Sequence, residues 1–160
     1  MATNFIFHDV ESTRREVYVG KGIAPGTALI YGGQPAVSVT GSGDYIATES
    51  QEFGDLTIST KRRGGVGLPD GKATIAFNGS AAFDVTGITS EATAFDTIDA
   101  VTLERSPKSV YITPAGELTT TATANKFFGI VDFYRGEVGD TADERSRDTV
   151  VLFGVQKPEV

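Results

Sequence analysis

The segment that decides the fold is "SVYITPAGELTTTATANKFFGIVDF", which runs from Ser109 to Phe133. It contains strand-forming residues, a Pro-Ala-Gly break, a run of threonine and small residues, and then an aromatic-rich stretch. Proline and glycine between two runs of β-branched and aromatic residues predict two strands joined by a turn. Hardly any of these side chains could take part in chemistry, so the segment indicates an architectural role.

Apolar residues alternate with polar ones along much of the remaining chain. The pairs with a spacing of two are Phe5 and Phe7, Val17 and Val19, Val37 and Val39, Leu56 and Ile58, Ile75 and Phe77, Phe83 and Val85, Val101 and Leu103, and Val110 and Ile112. A period of two is typical of half-buried strands, and glycine-rich turns separate these segments. The pattern predicts an all-β fold, a single compact β-barrel or sandwich of short antiparallel strands.

Two further features refine this fold. The stretches "FFGIVDFY" and "TVVLFG" are the most continuously apolar, so they are predicted to be the most buried strands. The segment Thr89–Ala100 predicts at most one short helix, with Ser90 as the N-cap and with Ala92, Phe95 and either Ile98 or Asp99 along one face. A loop is the alternative for this segment, because its threonines are poor helix formers.

The length of 160 residues suits one domain better than two. Residues 1–16 are predicted to form an N-terminal arm, because the strand-like "NFIF" precedes the highly charged "HDVESTRRE". Such an arm suits pairing with a partner outside its own domain. Residues 17–160 are predicted to form the β-barrel domain, in which the charged stretch Arg135–Asp148 is a long functional or mobile loop.

The charge balance excludes some classes of partner. The chain has 21 acidic and 14 basic residues and a formal net charge of −7, which repels phosphate backbones. We therefore expect no nucleic-acid partner. No apolar stretch approaches 18 residues and the N-terminus lacks a signal-like pattern, so we expect no membrane partner and synthesis in the cytoplasm.

The candidate chemical groups do not form a catalytic pattern. His8 is the only histidine, the chain has no cysteine, and the carboxylates are scattered. The basic stretch "KRRGGVGLPDG", Lys61–Gly71, matches no phosphate-binding loop and is interpreted as a flexible hairpin loop suited to contact an acidic protein surface. The sequence predicts no enzyme activity, no cofactor and no metal site.

The segment Ser106–Gly154 resembles the C-terminal part of the head decoration, or capsid cement, proteins of tailed bacteriophages. In that family a Val-Tyr strand, a glycine turn, a threonine run and a Gly-x-Val strand precede a polar loop and a last Val-x-Leu strand. The matching positions are Val110, Tyr111, Thr113, Gly116, Leu118, Thr119, Thr121, Asn125, Gly129, Val131 and Val150 to Leu152. Upstream, "GIAPGTALIY" and "KATIAFNGSAAFDV" resemble the family more loosely, so the resemblance covers about two-thirds of the chain.

The resemblance implies a virion structural protein that binds the outer surface of the capsid and stabilises contacts between major capsid protein subunits. It also implies self-association as a homotrimer. Two alternatives stay open: a tail-tube or head-fibre structural protein, and a glycan-binding module. The candidate capsid-binding residues are the apolar anchors of the arm and the cations of the basic stretch, namely Phe5, Ile6, Phe7, Lys61, Arg62 and Arg63.

Overall fold

A computed structural model of the chain describes residues 5–6, 13–65, 67–98, 101–102, 105–135 and 149–158. These residues form one short helix, α1 (Glu91–Ala94), and fifteen strands. The strands are β1 (Phe5–Ile6), β2 (Arg14–Tyr18), β3 (Ala28–Tyr31), β4 (Gln34–Ser38), β5 (Ile46–Phe53), β6 (Leu56–Arg63), β7 (Lys72–Ala76), β8 (Gly79–Phe83), β9 (Val85–Thr86), β10 (Phe95–Ile98), β11 (Arg105–Pro107), β12 (Ser109–Ile112), β13 (Leu118–Thr119), β14 (Lys126–Tyr134) and β15 (Thr149–Phe153).

The strands form two larger sheets and two ribbons. The seven-stranded sheet has the order β1-β8-β15-β14-β12-β13-β9 and curls like half a barrel. The four-stranded sheet has the order β2-β7-β4-β3, and the pairs β10-β11 and β5-β6 are two-stranded. Every pairing is antiparallel except that of β13 with β9. The predicted all-β architecture is confirmed.

The hydrophobic core joins the two larger sheets. Three phenylalanines lie at its centre, with Phe128 packed edge-to-face on Phe83 at 5.8 Å and against Phe153 at 5.9 Å between ring centroids. The four-stranded sheet contributes small residues that let it approach these rings, among them Ala28 and Ala76. Aromatic rings against small side chains fill the space between the sheets at high density.

The strands β14 and β15 are the central strands of the large sheet, as their apolar sequence predicts. Phe128 and Val131 are buried, whereas Ile130 is only half-buried. The pairing of β12 with β14 shifts by one residue between Val110 and Tyr111, beside Phe128. Such a β-bulge breaks the strict alternation of buried and exposed residues along the strand.

The predicted short helix is confirmed, but it ends earlier than its apolar spacing suggests. The Ser90 hydroxyl accepts a hydrogen bond from the Thr93 backbone N–H, and the Thr93 hydroxyl accepts one from the Ser90 N–H, which makes a capping box. The helix stops at Ala94, because Phe95 is already extended and begins β10. The predicted helical face through Phe95 and Ile98 was therefore wrong.

The threonine run forms a connection between two strands. Only Thr119 lies in a strand, and the chain then turns from β13 to β14. Asn125 donates its side-chain N–H to the Thr121 carbonyl at 2.9 Å, and Ala124 has a positive φ of 62°. These local contacts close the turn that returns the chain into the sheet.

Other predicted segments lie at the ends of the described ranges. The predicted boundary after Glu16 falls inside β2, which pairs along its full length with β7. Val101 lies in a turn with 92% of its surface exposed, so its assignment to a half-buried strand was wrong. The residue predicted to alternate with it, Leu103, lies outside the described residues. Most of the charged stretch, residues 136–148, also lies outside them.

Candidate functional site

The predicted apolar anchors begin at the first strand of the large sheet. β1 is the outermost strand there, and it pairs antiparallel with β8, with Phe5 opposite Ala81 and Ile6 opposite Ser80. One edge of this short strand is thus used within the chain, and Phe7 lies outside the described residues. Contact of Phe5, Ile6 and Phe7 with a capsid stays a prediction.

The predicted basic residues lie in a strand, which corrects their assignment to a hairpin loop. Lys61, Arg62 and Arg63 are the last three residues of β6, and they pair with Thr48, Ala47 and Ile46 of β5 in that order. The glycine-rich turn starts only at Gly64. β6 and β1 belong to different sheets, so the strand pairing does not bring the two predicted groups together.

The strand that carries these cations is half of a ribbon with uncovered faces. β5 and β6 pair with each other over eight residues and with no other described strand. Leu56 is 60% exposed and Ile58 is 46% exposed, while Thr57 and Ser59, on the opposite face, are exposed as well. Since alternate residues of a strand point to opposite faces, neither face of the outer half of β6 is covered.

The tip of the ribbon is a two-residue turn. Gly54 and Asp55 connect Phe53 to Leu56, which are paired across the ribbon. Gly54 has a φ of +62°, and positive φ at the first central position is the geometry that favours glycine in a tight hairpin. The turn therefore lets the two strands pair as far as the tip.

The base of the ribbon, in contrast, is closely packed around Tyr45. A Cβ atom on Gly41 or Gly64 would lie 2.7 Å or 2.6 Å from the Tyr45 ring, which leaves room for no side chain at either position. The Gly64 N–H also donates to the Tyr45 carbonyl at 2.8 Å. Close backbone approach at these glycines fixes the point where the ribbon leaves the domain.

A carboxylate fastens the neighbouring loops to this base. Asp44 accepts hydrogen bonds from the backbone N–H of Gly71 at 2.7 Å and of Gly22 at 2.8 Å. The hydrogen bond from Gly71, assisted by that from Gly22, holds the pKa of Asp44 below its usual value. The Gly71 amide of the glycine-rich loop thus donates to the Asp44 carboxylate of the same chain.

Within the described ranges, no cluster of three or more histidine, cysteine, aspartate or glutamate side chains could hold a metal ion. A cavity of about 450 Å³ lies between β3 and the turns that flank β13. Its lining is mainly apolar, with Leu29, Ile30 and Ile112 on its walls and Lys126 as its charged residue.

Sequence reasoning missed the exposure of Leu56 and Ile58. The available signal was the composition of the ribbon. The segments "IATESQEF" and "LTISTKRR" contain too few apolar residues to make either face of the ribbon a buried face. The hydrogen bonds that Asp44 accepts from Gly22 and Gly71 were also missed, although aspartate within a Gly-Ser-Gly-Asp turn often accepts backbone hydrogen bonds.

Comparison with known proteins adds no relative. No protein-family model, no curated protein and no solved structure matches the chain. Among the described residues, no helix has the length and apolar content needed to cross a membrane.

Proposed function

We propose that the chain is a structural protein of a tailed-bacteriophage virion, which binds the outer capsid surface and stabilises contacts between major capsid protein subunits. The proposal combines the resemblance of Ser106–Gly154 to head decoration proteins with one structural observation. That observation is the β5–β6 ribbon, which extends from the packed base around Tyr45 and carries uncovered apolar side chains. A ribbon of this kind suits recognition by surface complementarity with other proteins.

The energetics of the ribbon favour a protein partner. A two-stranded hairpin with no third strand or covering layer is only marginally stable in water. Complete burial of an exposed leucine or isoleucine side chain contributes about 1.5 to 3 kcal/mol, and Leu56 and Ile58 are both about half-exposed or more. Covering this face would thus stabilise the ribbon and supply affinity at once.

The basic end of β6 would act mainly on the association rate. Lys61 is exposed, and Arg62 and Arg63 follow it in the sequence. Exposed ion pairs contribute only about 0 to 1 kcal/mol each, but they steer an encounter with an acidic surface. We therefore assign affinity to apolar burial, including Phe5, Ile6 and Phe7 of the N-terminal segment, and rate to these cations.

In this proposal the chain needs neither catalysis nor a cofactor. Its partners are the major capsid protein and other copies of itself, assembled as the homotrimer that the resemblance implies. Its place is the outer capsid surface of the virion, after synthesis in the host cytoplasm.

Binding to undecorated capsids tests this function directly. Shells of the major capsid protein from the same genome, assembled without this chain, would be mixed with the purified protein, sedimented and imaged. We expect saturable binding on the outer surface and a higher temperature of shell disruption. Absence of binding would overturn the proposal, as would spontaneous growth of the protein into tubes, which a tail-tube component should form.

Two variants locate the binding surface in the same assay. Replacement of Leu56 and Ile58 by serine should weaken binding at least tenfold, because it removes the exposed apolar face of the ribbon. Val101→Ser is the matched control, since it removes an apolar side chain that is 92% exposed in a turn that is not part of the ribbon. Equal losses of capsid binding in both variants would mean that the ribbon is not the binding surface.

A further inference from the structure

The outer edge of β3 faces an open cavity. β3 is the last strand of the four-stranded sheet, so within the described fold it pairs with β4 on one side only. The cavity of about 450 Å³ is lined on this side by three consecutive residues, Ala28, Leu29 and Ile30. Successive side chains of a strand point to opposite faces, so three residues in a row line one cavity only along the edge of the strand. The cavity therefore runs beside the backbone of β3.

The hydrogen-bond pattern of the β3–β4 hairpin decides which backbone groups face the cavity. The Ser38 N–H donates to the Thr27 carbonyl at 3.0 Å, so these residues form a hydrogen-bonded pair. Hydrogen-bonded and non-hydrogen-bonded pairs alternate along an antiparallel ladder, and the pairs of Ala28 and Ile30 are thus non-hydrogen-bonded. The residue opposite Ile30 agrees with this assignment, because it is Pro35, which has no N–H to donate.

The N–H and C=O groups of Ala28 and Ile30 consequently point away from β4 and toward the cavity. Among the described residues, none forms a hydrogen bond with these groups. A strand edge that presents donors and acceptors in alternation is a template on which another extended segment can pair.

The opposite wall of the cavity is the turn between β12 and β13, and it offers apolar surface instead of free donors. Within this turn the Thr113 N–H donates to the Glu117 carbonyl, and the Gly116 N–H donates to the Thr113 carbonyl, both at 2.9 Å. Pro114 has no N–H, and both Pro114 and Ala115 are exposed. A segment in the cavity would therefore pair with β3 and pack its side chains on Pro114 and Ala115.

The two ends of this groove differ in charge. Lys126, which is exposed, is the charged residue in the lining of the cavity beside β3. A second cavity of about 280 Å³ shares Ala28 and Gly116 with the first, and its lining contains the carboxylates of Asp84 and Glu117. A cation at one end and carboxylates at the other set the polarity of an occupant, whose acidic residue belongs beside Lys126.

We infer that the edge of β3 is a docking site for an extended segment of a partner protein, which adds to the four-stranded sheet as a further strand. The segment has apolar side chains at alternating positions and a carboxylate that meets Lys126. Pairing with the backbone of β3 provides affinity for an extended chain, and the apolar wall and Lys126 provide selectivity.

The occupant is a different protein and not a second copy of β3. The sequence of β3, "ALIY", has no carboxylate to place beside Lys126. The inference is independent of the proposed function, because the ribbon takes no part in it and its test needs only the purified chain and synthetic peptides.

Peptides that differ in one residue test the inference. Two acidic probes with blocked ends have the sequences Asp-Thr-Val-Thr-Val-Thr and Thr-Val-Thr-Val-Thr-Asp, so that both directions of pairing are covered. Two matched probes carry lysine in place of aspartate. Titration of the isotope-labelled full chain would be followed by NMR. We expect at least one acidic probe to bind with a dissociation constant below about 1 mM, and its lysine counterpart to bind at least about tenfold more weakly.

Hydrogen exchange of backbone amides distinguishes strand addition from other modes of contact. The Leu29 amide should be protected already in the free chain, since Leu29 and Ala36 form a hydrogen-bonded pair. The amides of Ala28 and Ile30 should exchange faster than that of Leu29 in the free chain and become protected when the acidic probe is bound.

Two variants test the backbone and the charge separately. Ile30→Pro removes an outward N–H but no hydrogen bond within the hairpin, so it should weaken binding of the acidic probe at least about tenfold. Lys126→Glu should reverse the preference, so that the lysine probe binds more tightly than the acidic one. Lys21→Glu is the matched control, because it makes the same charge change at an exposed lysine outside the groove and should bind the acidic probe as the wild-type chain does.

Several results would overturn the inference. One is a failure of both acidic probes to bind at about 10 mM. Others are equal binding of acidic and lysine probes, unchanged exchange at Ala28 and Ile30, an unchanged preference in Lys126→Glu, or a loss of binding in Lys21→Glu. If Ile30→Pro fails to fold, amide exchange and Lys126→Glu still decide the question. Peptide binding by a chain that does not bind capsids would leave the groove standing and reject the proposed function, and capsid binding without peptide binding would do the reverse.

Discussion

The strand pairs β14–β15 and β5–β6 are both long and antiparallel, yet one lies at the centre of the fold and the other lies outside it. In β15, Thr149, Val150 and Val151 are consecutive and each at most 1% exposed, so both faces of that strand are covered. In β6, Leu56, Thr57 and Ile58 are consecutive and all exposed. The comparison teaches that strand formation and burial are separate properties of a sequence, since a strand needs its hydrogen-bonded neighbour but not a covering layer.

The difference lies in what each pair can bury. β14 and β15 supply Phe128, Val131 and Phe153 to a core shared by two sheets. The ribbon supplies a few apolar residues separated by polar ones, and they have no second layer to pack against within the described chain. A region without such packing contributes little to the free energy of unfolding of the single chain.

The strongest test of this contrast compares one truncation in each region. Phe128→Ala should lower the free energy of unfolding by about 3 to 5 kcal/mol, because the side chain is fully buried between two other phenylalanine rings. Leu56→Ala should lower it by less than about 1 kcal/mol. Urea unfolding of dilute protein measures both values, and similar losses would mean that the ribbon is packed in solution.

The second test adds a single methyl group to the centre of the large sheet. A Cβ atom on Gly129 would lie 2.3 Å from the Leu152 carbonyl oxygen, so β14 or β15 would have to shift. We expect Gly129→Ala to cost about 1 to 3 kcal/mol, whereas Thr57→Ala in the ribbon should change stability by about 0.5 kcal/mol or less. A neutral Gly129→Ala variant would contradict the close contact between these strands.

These two tests concern features that the sequence predicts well. Continuous apolar residues in "FFGIVDFY" and "TVVLFG" predict the central strands, and the absence of space beside Gly129 is consistent with glycine inside a strand. Ser90 likewise predicts the start of the helix, because capping depends on neighbouring residues alone. Such features are local, or need only that a strand be buried on both faces.

The features that escaped prediction depend on distant contacts. The bulge beside Phe128 results from the register between β12 and β14, which alternation in one strand cannot reveal. The spacing of Leu56 and Ile58 is the same whether the covering layer belongs to this chain or to another. For the candidate site, the basic residues are consecutive and can be recognised as a group from the sequence, but their place in a strand and the uncovered faces beside them required the fold.

The third test loosens the base from which the ribbon leaves the domain. Asp44→Asn replaces a carboxylate that accepts two backbone hydrogen bonds, so the melting temperature at neutral pH should fall, by less than for Phe128→Ala. Because the folded-state pKa of Asp44 is lowered, its contribution is fully present above the unfolded value of about 3.9 and is lost as the pH falls through the folded value. The difference between the two proteins should therefore shrink at low pH.

The control for this test is Asp55→Asn at the tip of the ribbon, which should leave the melting temperature unchanged at neutral pH. Thermal melts from neutral pH to below pH 4 follow both variants, a range that spans the usual aspartate pKa of about 3.9. A difference in melting temperature between wild type and Asp44→Asn that widens on acidification would contradict a stabilising role for the hydrogen bonds that Asp44 accepts.

The last test has the smallest expected effect on the single chain and the most direct bearing on the ribbon. Replacing Leu56 and Ile58 by serine should change the unfolding free energy of dilute protein by about 0.5 kcal/mol or less, since both side chains are exposed. In the proposed homotrimer, however, folding is coupled to association, so the wild-type melting temperature should rise with protein concentration. If another copy covered this face of the ribbon, the variant's melting temperature would not rise. Thermal melts over a dilution series separate these effects. A concentration dependence of the melting temperature that survives the double substitution would place self-association on another surface. A large loss of stability in dilute protein would place these two side chains in the core of the single chain.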